Sequence, residues 1–591
     1  TRRSSDLLSF VVGRLKRLEY PAHGVEMPIT VWAHPELLWR VFLALKNTKI
    51  AFDHLKEARS ALSHLEKFEL VALPNYSNKM LSGFGLSLVH QDLIALDPED
   101  EPIKLVEMSE QLIKIVVRQV FGNWMSPSTW CDYWLIESFA GTLEANVRRK
   151  MLTRGELGEP YRTFWARSDA LRFDLRDTNP YRLTLTEYGP NALTSSSDIR
   201  RLVLERRQFP AKAAAVGRMM ARVAELQFGP AEITPEPTAR TEHEREHLEV
   251  FVEAARVFGN VNFEDGAKKM HAWCVLGGYP LLFVDHDESA NNITVRQQVF
   301  TKLSNEADAP ESNWPLVLAL SFGVASQVRS TQTVQGTKAD IQLPDWFSFD
   351  NPQHWIKLEL NPDESAYYRV MYSDKLMAAL RVAIEREYLE PIDRIHVLDD
   401  ALALVEIDRM SQEKANEILH WYYQPRARKI PHYAEILHLL KLASRLNVNL
   451  ARQPFVDALL RFTNLAHEPD EASPAIELYA RSEALTNLIK LNNGPIVFKL
   501  LARFDQIRAY SLHIYERKPV YTAVAMYGNQ EQLGIMLKML MKTKSHAEQV
   551  RLAKALRTCP HEQIQTKLAA WLDDNLKDEQ LHSVTNGTSS K

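Results

Sequence analysis

Three cysteines in 591 residues, Cys131, Cys274 and Cys559, lie far apart and form no C-x-x-C pair. Such spacing speaks against a cysteine-based metal or redox site, permits at most one disulfide, and leads us to expect none. A basic excess is missing too: 71 Lys and Arg stand against 75 Asp and Glu, a formal net charge of -4. Without clustered cations there is no electrostatic footprint for phosphates, which argues against a nucleic-acid partner. No apolar run reaches the ~20 residues that a helix needs to cross a bilayer. The longest, Trp314–Ala325 (WPLVLALSFGVA), reads as a buried strand pair. The chain opens on Thr1-Arg2-Arg3, with neither Met nor a signal peptide, and runs at once into strand-like Leu7–Val12. It is therefore expected to be a piece of a longer protein, with room for an upstream signal or anchor.

What is there is ordinary globular material, 45% hydrophobic and 25% charged. At roughly 100–200 residues per domain it makes about three to five domains. Residues 1–20 read as the last strand of an otherwise absent N-terminal β-domain. Segment Val25–Trp32 alternates, and from Glu36 to Ala255 helical periods dominate, as with Leu112, Ile115, Val116 and Gln119 on successive turns. These define a mainly helical domain with an edge of sheet over 21–279. Between 280 and 384 the period becomes two: Ile356, Leu358 and Leu360 face one way, Lys357 and Glu359 the other, as in a small β-sandwich. Residues 385–582 are helix after helix, with stripes such as Ile436, Leu439, Leu440 and Ala443, matching stacked pairs of the HEAT or armadillo kind. The tail 583–591 (SVTNGTSSK) is polar.

One stretch carries more specific information: Phe121-Gly122-Asn123, followed by Trp134-Leu135-Ile136-Glu137-Ser138-Phe139-Ala140. It resembles the active-site region of aminopeptidase N-like gluzincins, H-E-x-x-H-Q-W-F-G-N and then W-L-N-E-G-F-A. Further family-like landmarks follow in order: Leu73-Pro74-Asn75-Tyr76, Trp273 to Gly278-Tyr279-Pro280, Tyr367-Tyr368-Arg369-Val370, and Asp393-Arg394 to Asp399-Asp400-Ala401. Together they cover most of the chain. The resemblance implies a mainly α multidomain protein: a thermolysin-like (gluzincin) helical domain with a sheet edge, a β-sandwich, and a HEAT/armadillo-like C-terminal array.

In that family two histidines four apart on one helix and a glutamate on a second bind zinc, which acidifies a water. Counting back from Phe121, the H-E-x-x-H positions hold Lys114, Ile115, Val116, Val117 and Arg118. Both histidines and the general-base glutamate are replaced. The third ligand survives as Glu137, nineteen residues after Arg118 as the family spacing requires. Two cations at i and i+4 would repel zinc as well as fail to ligate it. The glutamate of the family's G-x-M-E-N loop, which holds the substrate ammonium, aligns with Ser82, and the transition-state tyrosine aligns with Pro210. A general base is worth about 10²–10⁴ in rate and oxyanion stabilisers a comparable factor. On this alignment the chain is expected to be a pseudoenzyme, with no cofactor, metal or catalytic residue, and with Glu137 pairing with Arg118, shared with Lys114.

A literal H-E-x-x-H also occurs, His243-Glu244-Arg245-Glu246-His247, within the charged run Arg240–Glu249. Its spacing suits zinc. Catalytic zincin helices, however, carry apolar residues between the ligands, and Thr241 with Glu244 fits a capping box, so a solvated helix start is the preferred reading. The sequons at Asn75, Asn292 and Asn586 lend slight support to the secretory pathway. The function expected from the resemblance is binding of a protein or peptide ligand at the cell surface or in the extracellular matrix. The alternatives are an intracellular scaffold, like the aminopeptidase-like subunit of TFIID, and an active zinc aminopeptidase using His243 and His247.

Overall fold

Short runs rich in β-branched and aromatic residues form the first sheet: β1 (Lys16–Glu19), β2 (Ile29–Ala33), β3 (Phe68–Leu73), β4 (Met80–Ser82) and β5 (Leu86–His90). The computed structural model describes residues 10–20, 27–55, 65–74, 76, 80–97, 100–101, 103–123, 133–151, 159–176, 211–220, 272–273, 276–287, 291–301, 313–323, 328–334, 336–358, 367–422, 432–442, 448–465, 474–506 and 511–575. The strand order is β1-β2-β3-β5-β4, with the β2–β3 and β3–β5 pairs parallel and the outer pairs antiparallel. Because helices cover the parallel centre, β2 and β3 are almost continuously buried. The expected alternation over Val25–Trp32 therefore gives way to a two-sided buried strand. Residues 10–12 are not strand, and β1 pairs with β2 at the edge of this same sheet.

Helix α1 (Phe42–His54) and helix α2 (Ile103–Val120) pack together against this sheet, followed by α3 (Tyr133–Met151) and α4 (Glu159–Arg176). Leu112, Ile115, Val116 and Gln119 are all fully buried on α2, as their spacing predicts. Residues 211–220 are helical and cross α3 at unusually close range. A Cβ added at Gly141 would lie 2.2 Å from the Cβ of Ala214, and one at Gly217 would lie 2.5 Å from that of Ser138. Ser138 Oγ donates to the Ala213 carbonyl at 2.8 Å across this contact.

Among the described residues seven further strands form two sheets. Strands β6 (Pro280–Asp287), β7 (Asn292–Val299), β10 (Lys338–Gln342) and β12 (Arg369–Tyr372) give the order β10-β7-β6-β12. Strands β8 (Leu316–Phe322), β9 (Val328–Val334) and β11 (Ile356–Leu358) give β11-β8-β9. Both sheets contribute to one buried core. The apolar run at Trp314 is thus one strand, β8, flanked by β9 and β11, not a strand pair. Asn292 begins β7 and is only 7% exposed, a poor glycan acceptor once folded. Lys357 departs further from the alternation. It is 3% exposed, and its Nζ reaches Asp393 at 2.5 Å, because a helix covers the face that the pattern assigned to solvent.

That helix belongs to an array that has eleven among the described residues: α5 (Asp374–Glu385), α6 (Pro391–Glu406), α7 (Gln412–Tyr422), α8 (Tyr433–Leu442), α9 (Val448–Leu465), α10 (Ala475–Lys490), α11 (Gly494–Asp505), α12 (Ile514–Tyr527), α13 (Gln530–Lys542), α14 (His546–Leu556) and α15 (Glu562–Asn575). From α6 onward most helices touch the next and the next but one, the stacking order of a solenoid. Local signals start several of them: Asn493 and Ser545 side chains accept from the first-turn backbone, and Asn529 with Gln532 forms a capping box. The array returns to the first part of the chain. Ile476 packs on Ile103 and Val106 of α2, and Ser545 Oγ bonds Asp97 at 3.1 Å. Cys559 is buried and free. Among the described residues no helix is long and apolar enough to cross a membrane.

The three regions meet in a buried ionic cluster. Arg369 of β12 pairs with Asp399 and, at 2.9 Å, with Asp400, both on α6. Ser168 Oγ of α4 donates to Asp399 at 2.8 Å, and Arg167 Nη2 donates to His396 Nε2 at 2.5 Å. With Lys357 and Asp393, three cations balance three carboxylates. Burial, reinforced by Arg167 and Lys357, drives the His396 pKa well below that of a free histidine. His432, at the start of α8, is lowered to about 4 by burial and by Arg394.

Both histidines are neutral when folded and have depressed pKa values, so the unfolded chain takes up protons first as pH falls below ~6.5. Stability should then drop between pH 6.5 and 4, by up to ~1.4 kcal/mol per pH unit for each histidine. Urea unfolding at pH 7 and pH 5 should show a smaller drop for His396→Gln than for the unaltered chain. Gly141→Ala should destabilise by ~1–3 kcal/mol or more, since neither helix backbone can yield cheaply. Gly534→Ala in α13, with nothing within 4 Å of the added methyl, should stabilise by ~0.5–1 kcal/mol in the same urea unfolding.

Candidate functional site

The residues of α2 that reach solvent, wholly or in part, include Lys104, Glu107, Gln111, Lys114 and Arg118, recurring every three or four residues. That spacing makes one polar stripe along an otherwise buried helix. The stripe ends where α3 begins. There Arg118 and Glu137 meet side by side, Nη1 to Oε1 at 2.7 Å and Nη2 to Oε2 at 2.5 Å. The side chain of Glu137 is 3% exposed and that of Arg118 24%. A planar fork facing a carboxylate satisfies both oxygens at once, the strongest geometry available to such a pair. Phe121 stacks on Phe139 with centroids 5.5 Å apart, tying the end of α2 to α3. Gly122 turns the chain off α2 with φ of 112°, a region that L side chains avoid, and a Cβ added there would lie 3.7 Å from Arg118 Cδ.

Beside this pair lies a neutral network around Ser82 on β4. Ser82 Oγ donates to the Ile115 carbonyl at 3.4 Å and accepts from Gln119 Nε2 at 3.0 Å and Asn123 Nδ2 at 3.3 Å. Gln119 Oε1 in turn accepts from the Gly85 backbone at 2.9 Å, which holds the β4–β5 turn against α2. Sequence reasoning missed Gln119 and Asn123 as partners of Ser82, although both fall in or beside the quoted motif. Ile115 is fully buried in the core. Lys114 is half-buried one turn before Arg118, and among the described residues it makes no ion pair. The expected sharing of Glu137 with Lys114 is thus replaced by a closed Arg118–Glu137 pair, whose fork leaves neither oxygen unmet. Pro210 and the segment His243–His247 lie outside the described residues. The helix that follows Pro210 is anchored by Lys212, whose Nζ donates to the Gly278 carbonyl at 3.1 Å and lies 5.6 Å from the Tyr367 ring centre.

The structure therefore brings together Ser82, Ile115, Arg118 and Glu137, with Lys114 adjacent. The zinc that the resemblance implies finds no matching donor set at these positions. Lys114 and Arg118 offer cations where imidazoles would be needed, and both oxygens of Glu137 face the guanidinium. Among the described residues no group of three His, Cys, Asp or Glu side chains could hold a metal ion.

Since Glu137 is buried and Arg118 only partly so, their coupling should fall between exposed and buried pairs, at ~1–3 kcal/mol. Unfolding of Arg118→Ala, Glu137→Ala and the double variant gives this value directly. Glu137→Gln should also destabilise, because the amide keeps the shape and loses the charge. A coupling near zero would mean that the pair does not hold the two helices together.

A family model described as Peptidase family M1 domain matches residues 43–196, and one described as ERAP1-like C-terminal domain matches 355–591. The chain is 22% identical to a puromycin-sensitive aminopeptidase from Caenorhabditis elegans, over 96% of this chain and 59% of the relative. It is 23% identical to aminopeptidase M1-A from Oryza sativa subsp. japonica, over 84% and 56%. It is 22% identical to the glutamyl aminopeptidase of Sus scrofa, over 80% and 47%. The chain thus spans about half to three-fifths of the length of these curated relatives. The expectation of a non-enzyme is corrected here. The matched model is that of a peptidase domain and the relatives are named as aminopeptidases, so the replacements on α2 do not by themselves establish loss of catalysis. Motifs, fold and relatives agree that the chain belongs to the aminopeptidase N-like gluzincin family of M1 peptidases.

Proposed function

We propose that this chain works by binding a protein or peptide along the polar stripe of α2, with the Arg118 guanidinium standing where the family places a metal ion. The observation that carries the proposal is the fork between Arg118 and Glu137, which neutralises the surviving carboxylate with a side chain of the protein itself. The names of the relatives, aminopeptidases, point to peptide as the ligand class. In this reading Lys114, Ile115, Arg118, Glu137, Ser82 and Pro210 are the altered positions of the family site. Residues 21–279 form the gluzincin-type domain, 280–384 the sandwich and 385–582 a HEAT-like array. The setting we favour, the cell surface or extracellular matrix, rests on the resemblance to the ectodomain branch of the family.

The test is hydrogen exchange of the chain with and without a random nonapeptide pool. Slower exchange confined to α2 and the first turns of α3 is the expected result. No change, or change only elsewhere, would overturn the proposal. Loss of N-terminal residues from the pool in the same mixture would make binding a step of peptidase chemistry, and recognition would cease to be the chain's role.

A further inference from the structure

Helix α4 is held to the array by one face. Phe164, Arg167, Ser168 and Leu171 recur at the three- and four-residue spacing of that face, and all are buried. Phe164 meets Ile392 and Ile395 of α6 and Ala434 of α8 in a small apolar cluster apart from the main core, which α4 joins through Ala170 and Leu171. Ser168 Oγ donates to Asp399 at 2.8 Å, and Asp169 pairs with Lys441 of α8 at 2.7 Å. The same helix touches α3, which carries Glu137, so α4 straps the array to the candidate site.

A histidine is set into this contact. His396 of α6 is 1% exposed, and its Nε2 lies 2.5 Å from Arg167 Nη2. A guanidinium can only donate, so Nε2 presents its lone pair and the ring is neutral, with its one proton on Nδ1. A second proton would take the lone pair that Arg167 uses. Docking of Arg167 and protonation of His396 therefore exclude each other.

The charges around the ring act in the same direction. Among the described residues, α4 turns Arg167 and the Phe164 ring toward it, α8 His438, β11 Lys357, and β12 Arg369, which binds the Asp399 and Asp400 beside the ring. Asp400 lies 3.8 Å from Nε2 but is engaged by Arg369, as is Asp399, while Asp393 is engaged by Lys357. With α4 docked, Arg167, Lys357 and Arg369 already match these three carboxylates, and a proton on His396 would be an unbalanced buried charge. When α4 leaves, Arg167 goes with it. A protonated His396 then restores three charges against three.

We infer that a proton and α4 compete for His396, so that α4 is a strap which mild acid releases from the array. The docked state holds the imidazole neutral through burial, Arg167 and Lys357, whereas in the released state it titrates at ~6.5 or above. Docking is therefore at full strength above that pH and weakens about tenfold for each pH unit below it. The pairs of Arg369 with Asp399 and Asp400 join the sandwich to the array without α4, and they survive its release. This device goes beyond the peptide-binding reading and does not depend on it.

Hydrogen exchange of the whole chain at pH 7, 6 and 5, read by mass spectrometry and corrected for intrinsic rates, tests the strap. Protection of residues 159–176 should fall about tenfold between pH 6 and pH 5, while that of α10 and α12 stays within about twofold. In His396→Gln the amide oxygen can take the Arg167 bond and does not titrate, so α4 should keep its pH 7 protection at pH 5. Arg167→Gln removes the cation that opposes the proton, and its α4 should lose less protection over the same range than the unaltered chain. That variant serves if His396→Gln does not fold, and the unaltered chain decides if neither does. A fall shared equally by all helices would be global acid unfolding and would overturn the strap. So would constant protection of α4, or an undiminished fall in folded His396→Gln.

Discussion

The constraint on which the rest depends is the buried salt-bridge cluster around Arg369. A guanidinium with no exposed surface is tolerable only where carboxylates meet it, and Asp399 and Asp400 do so from α6 of the array. Ser168 and Arg167 bring α4 to the same point. Moving the sandwich away from the array, or α4 away from either, would leave charges buried and unmatched. The relative placement of the three regions is thereby specified more sharply than apolar packing alone would require, since apolar surfaces can slide and paired charges cannot. The closing contacts, Ile476 on α2 and Ser545 on Asp97, then bring the far end of the array back to the helix that carries the site.

Within that frame α2 does two jobs with two faces. Its apolar positions fill the core between the first sheet, α1 and α3, and this fixes the helix rigidly. Its one wet stripe delivers Lys114 and Arg118 to the start of α3. For the proposed recognition role, a rigid helix with a charged edge would hold its cations in place before any ligand arrives. The Arg118–Glu137 fork adds to that rigidity by linking two helices through parallel hydrogen bonds. The Ser82 network does the same for β4 without adding charge.

Particular residues show how far a one-dimensional reading reaches. The pairing of Arg118 with Glu137 was legible because a nineteen-residue interval and two flanking motifs locate both on helices whose family geometry is known. The landmarks Tyr367–Val370 and Asp393–Ala401 were legible as motifs, but nothing local said that they touch. In the structure they form two sides of one cluster, joined through Arg369, Asp399 and Asp400. Lys357 shows the opposite failure. Its alternation with Ile356 and Leu358 is a true strand signal, yet both faces of that strand are covered, so a polar residue marks a buried ion pair instead of solvent.

By itself the sequence determined the family, the succession of helical, sheet and helical regions, and the replacement of two imidazoles by cations. Each of these is a matter of local periodicity, or of residue identity at fixed spacing along one helix. Only the tertiary structure decided that Glu137 is wholly occupied by Arg118 and not shared with Lys114, that Ser82 is held by Gln119 and Asn123, and that Arg167, Ser168 and His396 belong to one buried cluster. Those outcomes depend on which elements cover one another. Burial and charge pairing act through space between residues tens or hundreds of positions apart, and no period within the chain encodes them.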